Sequence, residues 1–186
     1  LNYYNNLDKT YGHFEHKPNN KNSIGDNVVW QVLEDRDNNL WIATGKGLFL
    51  FDRINKTFTS LKSYTNGKVQ LNDLRVRCIY ESNDGKIWIG TAGGGVHVFD
   101  KEKAQITHYA HDENDEASIS SNVIRSIYQD EENTVWIGTY GAGLNKFNPS
   151  NNTFTRFFHS KKDSLSISNN IVYSFIEDRK GQFWIG

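Results

Sequence analysis

The chain has 186 residues, of which 37% are apolar and 13% aromatic, enough to bury a core within one domain. A formal net charge of −1, with both signs interspersed, argues against a polyanion-binding surface and against nucleic acid as a partner. The single cysteine, Cys78, excludes an internal disulfide framework, and without an apolar run of about 18 residues this region is expected to make no membrane contact of its own. Neither a charged-then-apolar leader nor a methionine occurs, and the chain opens in mid-repeat, which suggests a piece of a longer protein.

In chain order, residues 1–16 read as the second half of a repeated unit. Leu1-Asn2-Tyr3-Tyr4-Asn5 aligns with Leu144-Asn145-Lys146-Phe147-Asn148, and Thr10-Tyr11 with Thr153-Phe154. Three whole units follow at 24–61, 71–109 and 119–157, and a last half unit occupies 167–186. Their shared mark is an indole, in Leu40-Trp41-Ile42-Ala43-Thr44, Ile87-Trp88-Ile89-Gly90-Thr91, Val135-Trp136-Ile137-Gly138-Thr139 and Phe183-Trp184-Ile185-Gly186. The period is 47 to 48 residues, and an apolar anchor (Ile24, Leu71, Ile119, Ile167) stands 17 residues before each Trp. A period of that length marks a repeat architecture.

Within a unit the apolar residues alternate with period two over short runs, as half-buried strands do. In the third unit the pattern predicts strands a to d over 123–129, 135–139, 143–147 and 153–157. Turn residues separate them, such as Asn83-Asp84-Gly85, Gly93-Gly94-Gly95 and Asn148-Pro149-Ser150-Asn151. No window predicts an amphipathic helix. Four short antiparallel strands per unit predict an all-β fold, a β-propeller of about four blade-equivalents. Two closures are open: residues 1–16 pair with 170–186 in a small ring, or the chain is an arc of a wider one with an apolar face exposed at each end.

A Trp on strand b faces the next blade, so its ring is expected to be shared between two sheets. Burying it removes on the order of 200 Å² from water, at most ~5 kcal/mol. Gly90 and Gly138 beside it leave room for the neighbouring sheet, whereas Ala43 fills part of that space. Phe51, Phe99, Phe147 and Tyr4 on strand c, and Phe58, Ile106, Phe154 and Tyr11 on strand d, recur in register and read as core.

The unit at 119–147, I-S-S-N-V-I-R-S-I-Y-Q-D-E-E-N-T-V-W-I-G-T-Y-G-A-G-L-N-K-F, resembles the two-component regulator propeller repeat. Asn27, Asn122 and Asn170 match the family's Asn, Asp35, Asp130 and Asp178 its Asp, and Gly85 and Gly181 its turn glycine. Departures are Leu74 for Asn, Ser82 for Asp, Asn39 and Asn133 for the turn glycine, and Ala43 for the Gly after Trp-Ile. The resemblance implies a periplasmic sensor domain of a Bacteroidetes hybrid two-component system histidine kinase. Such receptors commonly detect an oligosaccharide and switch on polysaccharide-utilisation genes; the kinase itself is absent from these residues.

Candidate chemistry concentrates early in strand a. Trp30, Arg77, Arg125 and Tyr173 occupy one repeat position that is bulky in every copy yet changes chemical type. Two guanidiniums and two rings suit a sugar or uronic acid through bidentate hydrogen bonds and stacking, or else they fill the channel or pair with Glu34, Glu81 and Glu177. Tyr140 and Lys46, in b-to-c loops expected on the same face, are further candidates. The Asp-bearing a-to-b turns read as caps, and His16, His111 and His159, one per unit at the outer strand, are too far apart to share an ion, so neither metal nor cofactor is expected. Nucleophile, phosphate-loop and dinucleotide motifs are missing, and ligand binding without turnover is expected. A protein-binding scaffold propeller, or a propeller lyase or glycosidase, are the alternatives. Beyond a small ligand, the expected partners are a second copy of the chain or the remaining blades of a parent sensor.

Overall fold

The computed structural model describes all of residues 1–186 and contains sixteen strands and one helical turn. Strands β1 (Asn2–Asn5) and β2 (Thr10–His13) form a hairpin. Three complete four-stranded antiparallel sheets follow, each a meander in sequence order. The first holds β3 (Val29–Glu34), β4 (Leu40–Thr44), β5 (Gly47–Asp52) and β6 (Thr57–Ser60), and the second β7 (Val76–Glu81), β8 (Ile87–Thr91), β9 (Val96–Asp100) and β10 (Gln105–Tyr109). The third holds β11 (Ile124–Gln129), β12 (Val135–Thr139), β13 (Leu144–Asn148) and β14 (Thr153–Phe157), and β15 (Phe175–Glu177) pairs with β16 (Phe183–Ile185) after it. These bounds reproduce the predicted strands of the third unit to within one residue.

First strands pack side by side, β3 on β7, β7 on β11 and β11 on β15, as the inner strands of propeller blades do. The two half units remain separate two-stranded sheets and do not pair with each other, so the arc is open. Its ends expose apolar side chains as expected of an arc: Tyr3, Tyr4, Tyr11 and Val32 at one, Ile176, Trp184 and Ile185 at the other. Tyr4 and Tyr11 are therefore not core as their register predicts, because their hairpin stands as a separate two-stranded sheet.

The indoles sit where the repeat places them. Trp41 and Trp88 are 0% and 5% exposed, and each meets a Phe on the third strand of the next blade, Phe99 at 6.2 Å and Phe147 at 5.1 Å between centroids. Trp136 meets Phe183 at 5.3 Å. Trp184, in the last half blade, is 57% exposed and meets no third-strand Phe. Gly90 and Gly138 do leave the necessary space: a Cβ on Gly90 would stand 2.6 Å from Ile124 Cγ2, and one on Gly138 2.8 Å from the Val172 carbonyl oxygen, both in the following blade.

The recurrent Asp has a second task besides capping its turn. The Asp35 carboxylate accepts the backbone N–H of Asp37 and Asn39 and also the Trp41 indole N–H at 2.8 Å. Asp130 and Asp178 receive Trp136 and Trp184 in the same way, and Ser82 Oγ stands in for Trp88 at 3.2 Å. Burial pushes Asp35 toward the neutral form, but hydrogen bonds from Trp41, Lys101 and Asn39 outweigh it and hold the carboxyl at about 2. Lys101 Nζ, from the second blade, bonds Asp35, Asp37 and Glu81 together at 2.7 to 3.0 Å.

The turn itself needs one left-handed residue, and the structure supplies it as Gly85 and Gly181 or as Asn38 and Asn133, with φ between 62° and 78°. The equivalent of the turn glycine is therefore Asn38, one residue before the position the sequence comparison suggests. Asn tolerates that conformation because its short polar side chain can bond locally, so these turns lose little by lacking Gly.

One difference from the sequence reading is a helical turn, α1 (Leu61–Tyr64), capped by Ser60 Oγ on the Ser63 N–H at 3.2 Å. Elsewhere the outer strand runs into a brace: the N–H of His16, His111 and His159 donates to the side-chain oxygen of Asn27, Asn122 and Asn170, while the same His ring bonds the carbonyl of Ile24, Ile119 or Ile167. The second unit has Ser63 and Leu74 at the two brace positions. There the segment coils and buries Leu61 beside Val69 and Leu71 instead.

Candidate functional site

A β-bulge lies in the inner strand of each complete blade, between Val29 and Gln31, Val76 and Cys78, and Ile124 and Ser126. The extra residue in each case is Trp30, Arg77 or Arg125. In the last half blade the N–H groups of Tyr173 and Ser174 both reach the Gly186 carbonyl, at 2.7 and 3.2 Å, which gives Tyr173 the same local backbone. A bulge re-aims one side chain against the alternation of its strand. The position singled out by its changing chemistry is thus also the position the ladder leaves unpaired.

These side chains meet one another. Arg77 Cζ lies 3.7 Å from the Trp30 ring centroid, and Arg125 Cζ lies 4.6 Å from Tyr140 and 5.9 Å from Tyr173. Tyr140 and Tyr173 pack edge to face at 6.5 Å, and Tyr140 is joined to Ile171 of the next blade by a backbone bridge. Stacking of this kind orients a guanidinium and contributes about 0.5 to 2 kcal/mol. The three rings stay half exposed, at 47% for Trp30, 47% for Tyr140 and 59% for Tyr173.

Neither guanidinium pairs with the glutamates that sequence offers. Glu34 holds Arg53 at 2.9 Å, Glu81 holds Lys101 and the Arg36 N–H, and Glu177 accepts the Glu131 N–H. The nearby Asp73 carboxylate is occupied by Arg75, with contacts of 2.8 and 3.1 Å. Arg77 Nε and Arg125 Nε are buried atoms without a hydrogen-bond partner. Burial first, and then the positive charges of Arg125 and Arg75, lower the Arg77 pKa, with Asp73 opposing. Arg75, Arg77 and Arg125 outnumber Asp73 here, and in the first blade Asp26 holds the position of Asp73, where its carboxylate accepts the Val28 N–H. Arg75 was not singled out from sequence, although alternation along the chain leading into β7 places it near Arg77.

Lys46 does not join this group. The one-residue deletion between Trp41 and Leu48 closes its loop into a two-residue hairpin, with Thr44 opposite Gly47. Lys46 is exposed at the tip, where it lines a cavity of about 250 Å³ with Leu61, Val69 and Leu74.

Several solved structures share the fold. The extracellular domain of the one component system BT4673 from B. thetaiotaomicron aligns with a TM-score of 0.80 at 20% identity, over 98% of this chain and 23% of that one. The extracellular domain of the hybrid two component system BT3049 from the same organism aligns at 0.69 and 22%, over 100% and 29%. Virginiamycin B lyase from Staphylococcus aureus aligns at 0.64 and 14%, over 97% and 54%. The chain spans about a quarter of the length of the first two. No curated protein sequence matches it. The family of two component regulator propeller repeats matches at residues 23–46, 70–93, 118–141 and 166–186, one segment per inner hairpin and together half of the chain. With the repeat, the blades and the family pattern in agreement, the chain belongs to the two component regulator propeller family.

Proposed function

We propose that this chain is part of the ligand-sensing, periplasmic propeller of a hybrid two-component sensor histidine kinase, and that it detects an oligosaccharide and signals to polysaccharide-utilisation genes. Family membership and the likeness to extracellular domains of two component systems support the sensor reading. The observation that carries the ligand class is the set of half-exposed rings, Trp30 and Tyr173 at the inner strands of the first and last blades and Tyr140 in a b-to-c loop, stacked on two arginines without carboxylate partners. Sugar rings present apolar faces that stack on such side chains, while their hydroxyls accept hydrogen bonds from guanidinium N–H groups.

Contacts made by several blades at once give the ligand a differential affinity for one arrangement of the blades, which is what a signal requires. Turnover is not part of this reading, and no residue is assigned to catalysis. The test is a thermal-shift panel of oligosaccharides on the full extracellular region that carries these residues. A true ligand at 100 times its Kd stabilises by about 2.7 kcal/mol; a panel in which no oligosaccharide raises the melting temperature overturns the proposal.

A further inference from the structure

We infer that the ligand of this face is an acidic saccharide, one whose carboxylate or sulfate ester is gripped by Arg77 and Arg125. The inference rests on the oligosaccharide reading above and adds the charge of the ligand to it.

The argument begins with what the two arginines lack. A folded chain with roughly balanced charge ordinarily satisfies a partly buried guanidinium with a carboxylate, and this chain has 22 acidic residues available. Of the other five arginines, Arg179 lies exposed at a turn, and Arg36, Arg53, Arg75 and Arg156 find oxygen partners: an Asn83 carbonyl, Glu34, Asp73 and the Ser118 carbonyl respectively. Arg77 and Arg125 are held only by aromatic faces, and the Nε of each is enclosed without an acceptor. Stacking fixes the plane of a guanidinium and leaves its N–H edge free, which is the edge that takes an oxyanion in a two-point contact.

The placement is also costly to the protein in ways that filling a channel does not explain. Arg77 and Arg125 stand on the bulges of adjacent inner strands, where like charges repel. A leucine would fill the same space without that repulsion. Two cations on adjacent blades, with the nearby Asp73 carboxylate already taken by Arg75, form a receptor for an anion supplied from outside, and a ring at each flank, Trp30 and Tyr173, adds affinity for a sugar rather than for a bare ion.

The experiment is isothermal titration of the full extracellular region with trigalacturonate and with a sulfated disaccharide, each beside its neutral counterpart, and with inorganic sulfate alone. The acidic sugar is expected to bind at least about tenfold more tightly than the neutral one, as a charge-assisted contact requires, and to weaken as salt is raised. Arg77→Gln and Arg125→Gln are each expected to remove that preference, while Arg53→Gln, on a remote exposed ion pair, keeps it. Melting curves of the variants confirm that they fold, and Arg77→Lys, which retains charge but not the planar edge, is expected to fall between. The arm that binds decides between carboxylate and sulfate ester. Equal binding of acidic and neutral sugars overturns the inference and leaves the sensor reading standing. An acidic preference untouched by the arginine variants overturns the site, sulfate binding as tightly as any sugar overturns the saccharide, and failure of every sugar to bind overturns both readings.

Discussion

Asp35→Asn separates the charge of the repeat's signature residue from its shape. The variant keeps oxygen and size, so it can still accept the Trp41 indole N–H, but it presents no anion to Lys101. A carboxyl held at about 2 against an ordinary 3.8 contributes about 2 to 3 kcal/mol of stability in the neutral range. Because the folded pKa is depressed, that contribution is complete above about pH 4 and is lost as pH falls through 2. Thermal unfolding followed by circular dichroism from pH 7 to pH 2 reads it. At this chain length each kcal/mol corresponds to about 2 to 4 °C, so the native protein should lose roughly 5 to 10 °C more than the variant between pH 5 and pH 2. The other low-pKa carboxylates titrate in both proteins and cancel in the comparison. Parallel curves would refute the reasoning, since they would mean that Asp35 gains nothing from its charge.

Further outcomes follow from the packing. Gly90→Ala forces a methyl against Ile124 and is expected to destabilise by about 1 to 3 kcal/mol in urea unfolding. Trp41→Ala is expected to cost about 3 to 5 kcal/mol in the same assay and Trp184→Ala, half in solvent, far less; equal costs would deny that the indole is shared between blades. Asn122→Ala removes the acceptor for the His111 N–H and should cost about 1 kcal/mol, whereas Leu74→Ala in the unit without a brace tests nothing of that bond and serves as its control. Burial pushes the Cys78 thiol up to about 12, so it should resist a thiol reagent at pH 8 in the folded protein and react at once in denaturant.

Strand positions, blade register and the shared indoles were legible in the sequence because each rests on local alternation repeated four times. Single-residue contacts between blades were not. That Lys101 ties Asp35 to Glu81, or that Gln31 bonds both backbone groups of Ile79 across the blade boundary at 2.9 Å, depends on distances that no periodicity encodes. The helical turn at Leu61–Tyr64 was hidden for a related reason. It arises from the loss of two partners eleven residues apart, Ser63 for His and Leu74 for Asn, and the second of these departures was visible while its link to the first was not. For the candidate face, the variation of Trp30, Arg77, Arg125 and Tyr173 singled out one repeat position, but the bulge found there is a backbone event with no residue signature. Lys46 was singled out because its loop aligns with that of Tyr140; the shorter loop and the cavity it lines beside Leu61, Val69 and Leu74 were not legible in the alignment.

The central claim is that the bulged residues of consecutive inner strands form the ligand-bearing face. The most direct measurement is a crystal structure of the extracellular region with whichever oligosaccharide stabilises it. The account predicts sugar density against Trp30, Tyr140 or Tyr173, with an oxygen within hydrogen-bond reach of Arg77 or Arg125. Sugar bound on the outer strands or the a-to-b turns, with the bulged residues untouched, would contradict it.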